Sequence, residues 1–196
     1  MAESNMLTWA PLLALSYLLG CIPTAVVVCR ALGIADPRRH GSGNPGATNV
    51  LRLGGPLAAL LTLFGDLAKG ASAVFLAYWA ELTQFMAGLC GVAAVIGHLF
   101  PAFGQRHGGK GMATTFGVLL ALSPSLGIVA LASWVLIALL SKTASLASIT
   151  TALVTPLATW LLLPGLLGAV LLISALLILR HHDNIQRLLA GEERRL

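Results

Sequence analysis

Long apolar runs follow one another from Leu7 to Leu179, with only short polar tracts between them. Few folds accept such a pattern. In hydrocarbon no water satisfies a backbone N–H or C=O, so a spanning segment must pair its own backbone groups as a helix or a closed barrel. These runs are unbroken rather than alternating, and about 20 residues at about 1.5 Å each cross a bilayer core of about 30 Å. Apolar residues make up 57% of the chain and charged residues 10%, against about 45–50% and about 25% in soluble proteins. The expected fold class is therefore all-α: a polytopic helical membrane protein, one integral membrane domain over residues 1–196.

The spans are expected at about Leu7–Cys29, Gly55–Ala80, Leu82–Phe103, Ala144–Leu163 and Gly165–Leu179, with the stretch Met112–Leu140 forming either one or two. Ser123-Pro124-Ser125 interrupts that last stretch, and charge decides how to count it. With two spans there, seven cross in all. Arg30, Arg38, Arg39, Arg52, Arg106, Lys110, Lys142, Arg180, Arg187, Arg194 and Arg195 then share one side, and only Lys69, of the twelve Lys and Arg residues, lies within the membrane. With one span those charges divide six against five. The positive-inside rule selects seven transmembrane helices, the N-terminus outside and the C-terminus cytoplasmic. The leading Met-Ala-Glu-Ser-Asn carries no cation, so a cleaved signal peptide is not expected. Cys21, Cys29 and Cys90 lie within apolar runs at no metal-ligand spacing and read as small buried hydrophobes.

A net charge of +5 could suggest nucleic acid, but the cations form no basic stripe interleaved with aromatics. They sit in three polar islands that this topology gathers at the cytoplasmic face. The first, Gly41 to Arg52, holds Gly43, Asn44, Pro45, Thr48 and Asn49. Glycine lets backbone N–H groups approach an anion closely, Ser42 and the two amides offer neutral hydrogen bonds, and Arg52 offers a fixed cation suited to phosphate. Taken alone it also reads as a turn between helices. The second runs from Gly97-His98 to Gly108-Gly109-Lys110-Gly111. Flexible backbone donors followed by a mobile ammonium suit a phosphate, although the Walker spacing is missing. His98 reads as a helix-end packing residue and His107 as an exposed loop residue. The third begins Arg180-His181-His182-Asp183-Asn184. If the last helix continues, His181 and Asn184 point the same way. Within the second span Asp66 and Lys69, three apart, can pair; the pair either fixes helix packing or helps line an anion pocket.

Ser42-Gly43-Asn44-Pro45-Gly46-Ala47-Thr48-Asn49 with Arg52, then Gly97-His98 through Phe100-Pro101 to Gly108-Gly109-Lys110-Gly111, then His181 with Asn184-Ile185 and Arg187-Leu188, resemble the three signature motifs of the bacterial membrane acyl-phosphate:glycerol-3-phosphate acyltransferases. Asp66-Leu-Ala-Lys69-Gly70 resembles that family's second membrane helix, so the resemblance runs nearly end to end; His107 is a departure. It implies a bacterial inner-membrane enzyme that joins glycerol 3-phosphate to acyl phosphate, giving 1-acyl-glycerol 3-phosphate (lysophosphatidate) and inorganic phosphate. An acyl-phosphate-generating enzyme and membrane lipid are the candidate partners. Guided by the resemblance, Ser42, His181 and Asn184 form the catalytic set. Gly43, Asn44, Thr48, Asn49, Arg52, Gly108, Gly109, Lys110 and Gly111 form the substrate-binding set, with Thr48 and Asn49 bracing the first loop.

No cofactor or metal is expected, because the carboxylates are scattered. None of the five histidines has Asp five positions later, which excludes the His/Asp arrangement of many glycerolipid acyltransferases. Ser42 lacks a local partner that would mark a triad serine, so direct transfer without an acyl-enzyme is expected. Two other classes fit part of the pattern. A small anion transporter would use the intramembrane Asp66 and Lys69, yet no inverted repeat joins the two halves. An assembly subunit held by anionic lipid would account for the cations but not for the ordered Ser, Asn, His and Gly.

Overall fold

The computed structural model describes the backbone of residues 6–102 and 108–196, and side chains from Trp9 onward. Gln105, Arg106 and His107 of the second island therefore lie outside the described residues. Within them the chain is helical: α1 Met6–Gly20, α2 Thr24–Ala31, α3 Ala47–Trp79, α4 Gln84–Leu99, α5 Met112–Leu122, α6 Pro124–Ser141, α7 Ala144–Leu162, α8 Leu167–Arg180 and α9 His182–Leu189. A single 3-10 turn, Pro164–Leu166, joins α7 to α8.

The breaks follow local chemistry. The first run is not one helix: it parts before Pro23 and bends by 41° between α1 and α2. Ser123 caps α6 by accepting the Leu126 N–H, with Pro124 as its first residue, where a missing donor costs nothing. The sequence break at Ser123-Pro124-Ser125 therefore does separate two helices. α3 starts at Ala47 rather than Gly55, so Thr48, Asn49 and Arg52 ride on helical turns instead of a loop. At Gly55 the backbone takes φ 78°, ψ −174°, a conformation open to glycine, and Pro56 restarts the helix. The last helix does not continue through the third island either. It ends at Arg180 and turns by 57° into α9.

α3, α6 and α7 are long and apolar enough to cross a membrane, and the bent pairs α1–α2 and α8–α9 bring the candidates to five. α4 and α5 are shorter apolar helices of 16 and 11 residues. α4 packs against α1, α3, α5 and α8. Its inner face is small (Ala87, Cys90, Gly91, Ala94, Gly97, all buried), and small residues let membrane helices approach closely. α3 and α5 also lie close: a Cβ on Gly70 would sit 2.1 Å from the Thr114 carbonyl oxygen, and one on Gly117 1.9 Å from that of Leu67.

The outside is as apolar as the inside. Leu57, Phe64, Leu139, Leu153 and Leu161 are more than half exposed, a surface suited to lipid. Thr62, Thr155 and Thr159 are buried and return their hydroxyls to carbonyls one turn back. Cys21, Cys29 and Cys90 are buried free thiols, as their apolar context predicts.

Candidate active site

Between α2 and α3 the first island folds around one side chain. Asn49, 1% exposed, donates through Nδ2 to the carbonyls of Pro37 (2.9 Å) and His40 (3.0 Å). Its Oδ1 accepts the Ser42 N–H at 2.9 Å. The amide is spent on its own loop, so Asn49 is a brace and not a direct ligand. Gly41, at φ 66°, passes so close that a Cβ would lie 2.2 Å from Asn49 Oδ1. Upstream, the Arg38 guanidinium holds the Asp36 carboxyl down to about 2, which ties off the segment leading in. Ser42 is exposed, and its Oγ meets the Asn44 N–H at 3.4 Å. Arg52 is exposed one turn into α3.

The second island lies against the end of α4. Gly108 donates to the Leu99 carbonyl at 3.1 Å, and a Cβ on Gly109 would meet His98 Nε2 at 2.2 Å. Beneath it is a buried polar group. Lys69 Nζ donates at 2.9 Å to Asp66 Oδ1, to the Ile22 carbonyl in the α1–α2 break and to His98 Nδ1. Three donors meet three acceptors, which is how a buried ammonium is tolerated. The i, i+3 pairing is as expected, and its partners show it tying α3 to α4 and the α1–α2 break. His98 is thus a buried member of this group and more than a packing residue. Pro45, Gly108, Gly109, Asp66, Lys69 and His98 line one cavity of about 20 Å³, so the first and second islands meet over it.

The third island joins them. Lys110 Nζ donates to Asn184 Oδ1. Asn184 Nδ2 donates to Glu193 Oε1 at 2.6 Å, an oxygen that also accepts from Ser145 Oγ at 2.8 Å. Glu193 Oε2 takes the Arg187 Nε–H at 2.8 Å. Two residues on, the Arg195 carbonyl accepts from Arg52 Nη2 at 2.9 Å, and the Leu196 N–H reaches the Lys142 carbonyl at 2.7 Å. Arg52, Lys110 and Asn184 are thereby gathered at one end of the bundle by the tail of the chain. Despite the bend at His181, both His181 and Asn184 are buried, at 2% and 4% exposure.

Electrostatics follow from this packing. Burial lowers Lys110 to about 8; Glu193 opposes the shift, and Arg187 and Arg180 reinforce it. Burial also pushes His181, the residue capping α8, down to about 4, with Lys110 and Arg180 adding to the effect. Its Nδ1 lies 2.7 Å from the Leu177 carbonyl, which places the proton on Nδ1 and leaves Nε2 an acceptor. Glu193 is pushed up by burial but held below its usual range overall by hydrogen bonds from Arg187, Asn184 and Ser145.

Sequence reasoning missed Ser145, Glu193 and Arg180. Glu193 left a faint signal, a carboxylate in a basic tail; Ser145, inside an apolar run, left none. Thr48 is half-buried near the start of α3, and Gly43 takes φ 73°. Gly111, at φ 85°, is the residue before α5.

The chain is similar over nearly its whole length to known proteins. The glycerol-3-phosphate acyltransferase family matches over residues 10–191. A glycerol-3-phosphate acyltransferase of Shewanella woodyi is 49% identical over 178 residues, covering 91% of this chain and 88% of its own. One from Shewanella putrefaciens is 50% identical over the same shares. The crystal structure of PlsY, an integral membrane glycerol 3-phosphate acyltransferase, in its glycerol 3-phosphate form superposes with a TM-score of 0.89 at 37% identity, over 96% of this chain and 95% of that one. Its lysophosphatidic acid form superposes at 0.88. A match over nearly the whole length, in sequence and in fold, makes this a multi-pass integral membrane acyltransferase that belongs to the glycerol-3-phosphate acyltransferase family.

Proposed function

We propose that the chain transfers an acyl group from acyl phosphate directly to the sn-1 hydroxyl of glycerol 3-phosphate. The products are lysophosphatidate and inorganic phosphate, and the step opens phospholipid synthesis. The transporter and assembly-subunit readings give way to family membership. One observation carries the reading: Lys110 and Asn184, remote in sequence, are bonded to each other beside His181 and on the same tail that holds Arg52. Two phosphates must come close during the reaction, and preorganised cations and backbone donors offset their repulsion.

In this reading Arg52, Lys110 and Ser42 hold the glycerol phosphate, with Gly43, Asn44 and Thr48 shaping the first loop. The N–H groups of Gly109, Lys110 and Gly111 face the acyl phosphate; that of Gly108, expected among them, is instead held by the Leu99 carbonyl. His181 Nε2 and Asn184 orient the attacking hydroxyl. The hydroxyl oxygen bonds to the acyl carbon, the bond from that carbon to the phosphate oxygen breaks, and the proton leaves on the departing phosphate. A His181 lowered to about 4 is a weak base at neutral pH but a good acceptor for orienting a hydroxyl. The leaving phosphate, a better base, takes the proton.

With α4 and α5 completing the crossings, the chain has seven spans, the N-terminus outside, and the site at the cytoplasmic face of the bacterial inner membrane. It works as a single domain, fed by an acyl-phosphate-generating enzyme. The test is a donor comparison with purified protein and glycerol 3-phosphate. Phosphate and lysophosphatidate should form with acyl phosphate and not with acyl-CoA or acyl carrier protein. Turnover with either of the latter, and none with acyl phosphate, refutes the reading.

A further inference from the structure

Arg180 ends α8, and its guanidinium reaches back across the second island. Nη2 donates to the Gly108 carbonyl at 3.0 Å, and both Nη2 and Nε lie 3.4 Å from the Gly109 carbonyl. The cation sits over the Phe100 ring, 5.8 Å from its centre, and the Phe100 carbonyl accepts the Tyr17 hydroxyl at 2.8 Å. The aromatic ring therefore steadies the guanidinium, and α1 steadies the residue carrying the ring.

A trans peptide is planar, with its N–H opposite its C=O, and no cis peptide occurs among the described residues. The planes carrying the Gly108 and Gly109 carbonyls also carry the N–H groups of Gly109 and Lys110. Drawing both carbonyls to one guanidinium turns both N–H groups away from it. Successive N–H groups on one side of a loop form an anion-binding concavity. Hydrogen bonding of each carbonyl to a cation also polarises its amide and strengthens the N–H as a donor.

We propose that Arg180 is a positioning residue of the acyl-transfer site, holding the Gly108–Lys110 peptides with their N–H groups turned toward a substrate oxyanion. This rests on the proposed function, since it assumes that the loop serves a substrate anion. Arg180 itself touches no reacting atom. Its fork geometry, and not its charge alone, does the holding, because two carbonyls must be bound at once.

The test compares Arg180→Met, Arg180→Lys and Phe100→Leu with native enzyme, measuring kcat and KM for both substrates per folded molecule in detergent. Arg180→Met should lower kcat/KM by about 10- to 100-fold, the loss expected for misaimed oxyanion donors. The KM change should fall on the one substrate whose anion lies on the loop. Arg180→Lys should recover only a minor part, and Phe100→Leu should lose a few-fold in the same parameter. Full recovery by Arg180→Lys overturns the proposal. So does a native kcat/KM in Arg180→Met accompanied only by a lower thermal midpoint. If Arg180→Met does not fold, Arg180→Lys and Phe100→Leu decide by the same criteria. The donor used is whichever the native enzyme accepts, so native failure with acyl phosphate refutes the proposed function while the Arg180 comparison proceeds with the other donor.

Discussion

Replacing Glu193 by Gln tests whether the tail of the chain is part of the active site. In the native protein Glu193 Oε1 receives both Asn184 Nδ2 and Ser145 Oγ, while Oε2 receives Arg187. Gln has one acceptor oxygen and one NH₂ where the carboxylate has two oxygens. Facing its NH₂ inward would set it against the Asn184 amide, so the oxygen stays inside and the NH₂ meets the Arg187 guanidinium. Two charge-assisted bonds become neutral ones at about 1 kcal/mol each. The Arg187 bond is lost altogether, but with Arg187 43% exposed it contributes about 1 kcal/mol at most. The sum is about 2–3 kcal/mol of folded-state stability, and the share of it that holds Asn184 and Lys110 for the transition state sets the rate effect, at most roughly 30- to 150-fold.

A second signature is independent of the first. The Glu193 charge raises the Lys110 pKa against the burial that lowers it to about 8. Removing that charge lowers it further, so less ammonium is present at a given alkaline pH. Phosphate release from acyl phosphate, followed as kcat/KM against pH, should fall by about 10-fold and at most about 150-fold in Glu193→Gln, with its alkaline limb displaced to lower pH. Activity within threefold of native with an unmoved limb would show that Glu193 and Asn184 are not coupled to catalysis.

Arg52→Lys should lose about 10- to 100-fold in kcat/KM in the same assay, because a point charge cannot serve both the Arg195 carbonyl and a phosphate as a fork does; near-native turnover in folded protein removes Arg52 from the site. His181→Ala should impair turnover while leaving the pH profile above about pH 6 unchanged, since an imidazole lowered to about 4 is already neutral there. In both native and His181→Ala enzyme, kcat/KM should fall as pH rises through about 8, where Lys110 loses its proton; a limb near 6–7 abolished by the substitution would make His181 the base. Asp66→Asn should lower stability in detergent by about 3–5 kcal/mol by leaving Lys69 buried without its counter-ion, and adding Lys69→Met should recover only part of it, because the Ile22 carbonyl and His98 Nδ1 then lose their donor, as thermal unfolding would record.

The apolar runs, the interruptions at Ser123-Pro124-Ser125 and Pro164-Gly165, the i, i+3 meeting of Asp66 with Lys69 and the three polar islands were all legible along the chain. Each is a local property: hydropathy, a missing donor or a helical repeat acts between near neighbours and is written in consecutive residues. The helical start at Ala47, the bend at His181, the Pro37 and His40 carbonyls that the bracing Asn49 binds, the binding of Lys69 by His98 and the Ile22 carbonyl, the Arg180 grip on Gly108 and Gly109, and the seating of Glu193 on Ser145 and Asn184 were not. These link residues far apart in sequence, and nothing in a Ser at 145 or a Glu at 193 names its partner. Close approach of helices through Gly70, Gly117 and the small face of α4 decides which carbonyls and side chains come within reach. Only that packing turns a basic tail into a tether between Arg52 and Asn184.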